Sequence, residues 1–363
     1  MIYIAYLIIC FTIIQLVVSI VNIVYSERFD TLNCNFNGLV SILIPARNEE
    51  LNIEHLLTDL QAQDYKNIEI LVFDDQSTDN TVVIVKKIML LDCRIKLIQS
   101  EGLPAGWLGK NYACHELSKH ANGKYFLFLD ADVRLNKTII YYSIAKSEKN
   151  NLGLLSIFPE QQMITLGEKI TVPNMNYILL SLLPLILVRK TKFNSIAAAN
   201  GQYMLFQSEI YQSICPHKKM KDNKVEDIEI ARYYKQLNFS IACMTGDETI
   251  SCRMYKGYID AMNGFSKNII SFFGNSFMLA YLFWFITTLG FVIVYFEVNK
   301  NTFMIYLIML FIIRILISII SKQKILINIL YIIPQQVTFG IILIKANLNK
   351  LKKNYQWKGR NVY

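Results

Sequence analysis

Three short stretches of this chain are apolar almost without interruption and stop abruptly at polar residues. They are Leu39 to Pro45, Ile68 to Phe73, and Tyr125 to Leu129. Continuous apolar runs of this length predict strands buried on both faces, as in parallel sheets. Between them lie longer runs of mixed polarity, Asn52 to Gln63, Thr81 to Leu91 and a stretch through His120, which predict helices. Strand alternating with helix predicts an α/β fold, a mostly parallel sheet with helices on both faces. A second pattern is much longer in period. Ile2 to Val24 and Ser276 to Phe296 contain no charged residue, and Thr302 to Ile320 contains only Arg314. Each is long enough to cross a bilayer as a helix. Ile325 to Ile344 is apolar but interrupted by Pro334-Gln335-Gln336.

The polar residues cluster where the strands end. The first strand runs into Pro45-Ala46-Arg47-Asn48-Glu49-Glu50, the second into Asp74-Asp75-Gln76-Ser77-Thr78-Asp79, the third into Asp130-Ala131-Asp132. Open α/β sheets bind ligands outside the carboxyl ends of their strands. Two carboxylates at such an end repel each other unless a positive charge lies between them. A divalent cation carrying a diphosphate meets that need, since Mg²⁺ is held by one or two carboxylates plus phosphate oxygens. Ser77, Thr78 and Asp79 read as a turn and helix cap.

The order Pro-x-Arg-Asn-Glu, Asp-Asp-x-Ser-Thr-Asp, Gly109-Lys110, then Asp-x-Asp resembles family 2 glycosyltransferases with the GT-A fold, over roughly residues 38 to 255. The resemblance implies that Pro45, Arg47, Glu49 and Asp75 surround the nucleoside of a UDP-sugar and that Lys110 lies near the diphosphate. It implies that Asp130 and Asp132 serve ribose and a metal, Mg²⁺ or Mn²⁺. Glu226-Asp227 starts a helix, where an acid ordinarily just complements the dipole. The resemblance makes Asp227 the catalytic base of an inverting transfer.

Gly201 and Gln202, with Glu226, Phe265 and Lys267, are the expected acceptor region. Gly201 either lets backbone approach a sugar ring or simply makes a turn. Processive members of the family carry Gln-x-x-Arg-Trp after the base, and this chain does not. Trp357-Lys358-Gly359-Arg360 resembles the tail of the subgroup that glycosylates carotenoid acids, hopanoids and ceramide-like lipids. The implied function is transfer of one sugar to a lipid-soluble acceptor, within the group that includes the bacterial diaponeurosporenoate glycosyltransferases. A polysaccharide synthase and an inactive membrane scaffold are the alternatives. The expected organisation is an anchor at 1–25, a GT-A domain at 38–255, a membrane-interface segment at 256–275, a transmembrane or re-entrant cluster at 276–344 and a basic tail at 345–363.

Composition adds bounds. The chain has 363 residues, 53% of them hydrophobic, and a formal net charge of +9. That charge is spread and then concentrated after Lys345, as in cytoplasmic segments of membrane proteins. No nucleic-acid motif accompanies it. Seven scattered cysteines without metal spacing read as free thiols in a reducing compartment. The expected location is therefore the cell membrane, multi-pass, with the catalytic domain in the cytoplasm. Four full spans would leave the basic tail outside. A hairpin bent at Pro334, or a span broken at Arg314, would return it. Tyr177 to Val188, closed by Arg189-Lys190, is either core or a segment in the membrane surface.

Overall fold

The computed structural model describes residues 1–27, 29 and 36–352, and the backbone of 356–357 and 360–361. They divide into two compact units. The sheet unit comprises residues 27–160 and 185–252, the helical unit residues 1–26, 161–184 and 253–363.

The strands are β1 (Val40–Ala46), β2 (Ile68–Asp74), β3 (Ile95–Gln99), β4 (Tyr125–Leu129), β5 (Val133–Leu135), β6 (Leu154–Phe158), the two-residue β7 (Glu160–Gln161), β8 (Tyr203–Gln207), β9 (Ile241–Thr245) and β10 (Ile250–Cys252). Seven of them form one sheet in the order β3-β2-β1-β4-β8-β6-β9. All neighbours are parallel except those of β8, which runs antiparallel to β4 and β6. β1, β2 and β4 are the three runs visible in the sequence. Nearly every residue in them is buried, which is why they lack polar alternation. The helix Ile53–Gln61 buries Ile53, Leu56, Leu57 and Leu60, the i, i+3, i+4, i+7 stripe of a helix covering a sheet. The buried Glu69 on β2 accepts from Ser41 Oγ at 2.6 Å and from the Asn122 N–H at 2.7 Å, so its carboxyl ties β1 to the turn before β4.

Parallel pairing fixes the site. Ala46 lies opposite Asp74 and Leu43 opposite Phe128, so β1, β2 and β4 all present their carboxyl ends at one edge. Because β8 is antiparallel, Tyr203 lies opposite Leu129. Its amino-terminal turn, Asn200-Gly201-Gln202, therefore arrives at the same edge. A groove lined by Phe36, Asp64, Tyr65 and Lys66 lies near the start of β1 and β2, at the other edge.

Among the described residues, the helical unit contains three helices long and apolar enough to cross a membrane: Ile2–Val24, Phe277–Glu297 and Lys300–Ile320. Arg314 does not break the third. The helix is continuous because the guanidinium finds partners inside the unit, stacking 3.6 Å over the Tyr177 ring. The expected bend at Pro334 is also displaced. The break falls at Tyr331, between helices Ile325–Leu330 and Ile332–Leu351. Pro334 is the third residue of the second helix, where a missing N–H costs nothing because first-turn amides have no intrahelical acceptor. The helix Pro173–Leu182 is almost wholly buried, which is the core alternative for this part of the apolar stretch. Asn22 donates to the carbonyls of Leu180 and Leu183 at its carboxyl end. Gln356–Trp357 pairs antiparallel with Arg360–Asn361, while Lys358 and Gly359 of the tail motif lie outside the described residues.

Candidate active site

Two laced loops build the first part of the site. After β1 and β2, Asn48 and Gln76 adopt positive φ, 53° and 56°. Neither is glycine, so the surrounding bonds must hold them there. Asn48 N–H donates to Ser77 Oγ at 2.9 Å, the Thr78 N–H to Asn48 Oδ1 at 2.8 Å, and the Glu49 N–H to Thr81 Oγ1 at 2.7 Å. Ser77 thus secures the neighbouring loop, a role its place in a helix-cap motif did not suggest. Arg47 donates to the Asp75 carbonyl, and its guanidinium lies 4.0 Å from the Asp75 carboxylate. Pro45 sits half-buried on the last turn of β1 beside them.

Lys110 organises the second part. It lies in the first turn of helix Gly109–His120. Asn111 explains its placement: the buried side-chain amide donates to the carbonyls of Met220 at 2.7 Å and Asn223 at 2.9 Å. That clamp ties the start of this helix to the loop leading into helix Glu226–Gln236. Lys110 Nζ consequently reaches Asp130 at 2.6 Å, the Gly201 carbonyl at 3.3 Å and Glu226 at 3.5 Å. Burial alone would lower its pKa, but the charges of Asp130 and Glu226 outweigh it and hold the ammonium well above its ordinary value.

Gly201 is the crossing point. Its N–H donates to Asp227 Oδ2 at 3.0 Å while its carbonyl accepts from Lys110. A Cβ there would stand 3.0 Å from Lys110 Nζ, 3.5 Å from Glu226 Oε1 and 3.7 Å from Asp227 Cβ. A Cβ would be tight only against the flexible end of Lys110 and in ordinary contact with the two acids. The second Asp227 oxygen accepts from the Ile228 N–H at 2.8 Å. Burial, then the charge of Glu226, pushes the Asp227 carboxyl up to about 6.

Residues 41–214 match the model of glycosyl transferase family 2. The chain carries a family 2 glycosyltransferase domain. The similar curated proteins include 4,4'-diaponeurosporenoate glycosyltransferases. That of Staphylococcus haemolyticus is 24% identical over 63% of this chain and 60% of its own length. That of Staphylococcus aureus strain MRSA252 is 26% identical over 66% of this chain and 62% of its own length. The match thus spans about three fifths of those relatives. A solved mannosyltransferase from Pyrobaculum calidifontis, in complex with GDP-Man and Mn²⁺, is 14% identical and covers 96% of this chain and 99% of its own, with a TM-score of 0.57. That likeness is one of fold, the GT-A type.

Asp132 lies in the turn between β4 and β5. Gln202 Nε2 approaches its Oδ1 at 3.5 Å and donates to Cys252 Sγ at 2.7 Å. Burial, then the charges of Asp130 and Glu49, pushes the Asp132 carboxyl up to about 7. Among the described residues no three His, Cys, Asp or Glu side chains are grouped to hold a metal by themselves. The donor set still fits a divalent cation of this transferase fold. Asp130, Asp132, Glu226 and Asp227 are four carboxyls gathered with a single ammonium, Lys110. Asp132 and Asp130 would hold the ion, leaving its other positions to diphosphate oxygens and water.

The structure therefore brings Arg47 to Asp75, and Lys110 to Asp130, Glu226 and Gly201. Asp227 meets Gly201, and Gln202 meets Asp132. Phe265 and Lys267 belong to the helical unit, on helix Tyr258–Asn268, where the Phe265 ring packs edge-on against Tyr255 at 5.0 Å. Besides Asn111, three participants escaped the sequence reading. Cys252 reaches Asp132 because β10 pairs with β5, placing it opposite Val133. Tyr112 and Trp107 form an aromatic wall with Phe73 at the end of β2, ring centroids 6.0 and 5.6 Å apart. The spacing of Trp107 and Tyr112 across a helix start was the one available signal.

Proposed function

We propose that the protein is an inverting glycosyltransferase that moves one sugar from a UDP-sugar to a lipid-soluble acceptor, a carotenoid acid or similar lipid, at the cytoplasmic face of a membrane. The observation that carries this reading is the convergence on Gly201 of a cation, Lys110, and a buried carboxyl, Asp227, beside the Asp-x-Asp turn. The names of the curated relatives support the acceptor class.

In this reading Arg47, Asp75, Pro45 and Glu49 hold the nucleoside. Asp130 contacts ribose and cation, and Lys110 lies against the diphosphate. Gly201, Gln202 and Glu226 shape the acceptor side. With a hydroxyl acceptor, Asp227 takes its proton as the oxygen bonds to C1 of the sugar; a carboxylate acceptor attacks C1 already ionised and leaves Asp227 no proton to take. The C1–O bond to the diphosphate breaks, UDP leaves with the electron pair, and configuration at C1 inverts. A bound Mg²⁺ or Mn²⁺ supplies compensation for the charge developing on the leaving diphosphate. A base near pH 6 suits this work, since it is ionised at neutral pH yet binds a proton readily.

Three crossings also remove the parity difficulty. With Ile2–Val24, Phe277–Glu297 and Lys300–Ile320 as the spans, the segment between the first two and the chain after the third lie on one side. The basic tail then satisfies the positive-inside rule together with a cytoplasmic catalytic domain.

The test is incubation of membranes bearing the protein with labelled UDP-sugars and GDP-sugars, then lipid extraction and mass spectrometry. The expected result is a lipid carrying one added sugar, formed from a UDP donor. A polymeric product, or no use of any nucleotide sugar, would overturn the reading.

A further inference from the structure

The glycosyl-transfer reading has no use for Arg314, a buried charge on the helix Lys300–Ile320. Arg314 is 6% exposed, and its guanidinium donates to Gln335 Oε1 at 3.3 Å and stacks on Tyr177 at 3.6 Å. A guanidinium has five N–H groups, and a desolvated cation ordinarily has a carboxylate beside it. None is within ion-pair distance among the described residues. The helical unit holds only three acids, Glu168, Asp260 and Glu297. Glu168 is taken by Arg253 at 2.9 Å, and Asp260 accepts from the Lys256 N–H at 2.9 Å. Glu297 precedes the start of the helix that carries Arg314, which puts it about 20 Å away along that axis.

The surrounding side chains are neutral amides and hydroxyls, and they bring no negative charge to the guanidinium. Gln335, fully buried, donates through Nε2 to Asn328 Oδ1 and the Lys169 carbonyl, both at 3.1 Å. Asn328 donates to Ser318 Oγ at 2.9 Å and to Gln323 Oε1 at 2.8 Å. Gln323 is 7% exposed, and its Nε2 has no acceptor. One acceptor, Asn174 Oδ1, is likewise unmatched, but it is a single neutral oxygen. Arg314 lies six residues from the end of its helix, about 9 Å in depth, within reach of a lipid headgroup region. The turn that follows exposes Lys322 and Lys324 and contains no acid. Beyond it Leu326 and Leu330 are each 75% exposed, while Asn328 on the same short helix turns inward.

We propose that Arg314 and Gln323 form a site for the oxyanion, carboxylate or phosphate, of a membrane amphiphile, whose chain lies along Leu326 and Leu330. An oxyanion supplies the missing countercharge and the missing acceptor together. This goes beyond the glycosyl-transfer reading and does not depend on it, because the site needs no donor nucleotide.

The experiment uses the full chain in phosphatidylcholine nanodiscs at pH 9, where oleic acid is ionised, with protein-free discs subtracted. Labelled oleate and oleyl phosphate are expected to bind at one equivalent, and oleyl alcohol at least tenfold more weakly. Arg314→Gln should raise the oleate Kd at least tenfold, Arg314→Lys less, and Gln323→Leu about threefold. Equal affinity of the wild type for oleate and oleyl alcohol would overturn the proposal, as would wild-type oleate binding by folded Arg314→Gln. If Arg314→Gln does not fold, the wild-type comparison decides alone. Competition with phosphatidylglycerol identifies the source. Displacement of oleate assigns the site to a phospholipid headgroup, and retention assigns it to a free-chain acid or phosphate, the site standing in either case. No turnover is measured, so failure here leaves the glycosyl-transfer reading untouched.

Discussion

Replacing Asp227 with Asn separates catalysis from stability, because the structure predicts opposite signs for the two. Burial and the neighbouring charge of Glu226 hold the carboxyl at about 6, where an ordinary aspartate titrates at 3.8. The folded state therefore binds this proton more tightly than the unfolded state does. That preference contributes stability fully present below pH 3.8 and lost as pH rises through 6. At pH 8 that difference corresponds to roughly 3 kcal/mol of native-state penalty for keeping the charge buried. Asn removes that penalty and can still accept from the Gly201 N–H. Its amide nitrogen cannot accept from the Ile228 N–H, which costs about 1 kcal/mol. The net gain is roughly 2 kcal/mol, or a rise in Tm of about 4–8 °C for a unit of this size.

Turnover should move the other way. Loss of a positioned general base lowers rate by about 10²- to 10⁴-fold. The assay is scanning fluorimetry of Asp227→Asn and wild type from pH 4 to 8, with sugar transfer measured on the same preparations. The Tm difference should be positive at pH 8 and should vanish or reverse near pH 4. A Tm difference independent of pH would refute the buried-charge argument. Near-wild-type transfer to a hydroxyl acceptor at pH 8 would refute the base assignment.

Asp132→Ala should abolish the Mn²⁺ dependence of UDP binding in calorimetry and lower transfer at least 100-fold; full activity in EDTA would refute a metal role for the Asp-x-Asp. Gly201→Ala should leave stability within about 1 kcal/mol, because its Cβ meets the flexible end of Lys110 at 3.0 Å, and lower kcat about three- to tenfold. Gly201→Val adds methyls toward Glu226 and Asp227 and should lose at least 100-fold with UDP binding retained; equal rates for the Ala and Val variants would show the crossing point is not crowded.

The edge of the sheet was legible because burial on both faces leaves apolar runs broken only by Ser41 and Glu69, which pair with each other. Where those runs stop, the side chains must be at the strand ends, so Arg47, Asp75, Asp130 and Asp132 were readable as residues of one sheet edge. The antiparallel β8 was not readable. Leu205-Phe206 looks the same in either direction, and direction alone decides whether Gly201 or Gln207 reaches the site. Asn111 and Cys252 depend on loops and strand pairing more than 100 residues away in sequence, which no local pattern encodes. Arg314 misled in the opposite way. A charge in an apolar run suggests interruption, yet partners on other helices accommodate it within an unbroken one.

The electrostatics of the site bear on which group attacks the sugar. Glu226 and Asp227 are the two acids beside Gly201 on the acceptor side, so ionising Asp227 adds negative charge there. A hydroxyl enters that field without Coulombic penalty and needs Asp227 ionised to take its proton. Its rate should rise with pH through about 6 and then level. A carboxylate acceptor is already ionised near neutral pH and needs no base. It is repelled by ionised Asp227 and admitted when Asp227 is protonated, so above its own pKa its rate should fall as pH rises through the same value. The two acceptors thus predict opposite slopes between pH 5 and 7, where Asp227 goes from about one-tenth to about nine-tenths ionised. Asp227→Asn should flatten both, leaving the hydroxyl reaction slow and the carboxylate reaction fast at every pH. A falling slope that persists in Asp227→Asn would show that another group sets it, and the argument from Asp227 to the acceptor would be wrong.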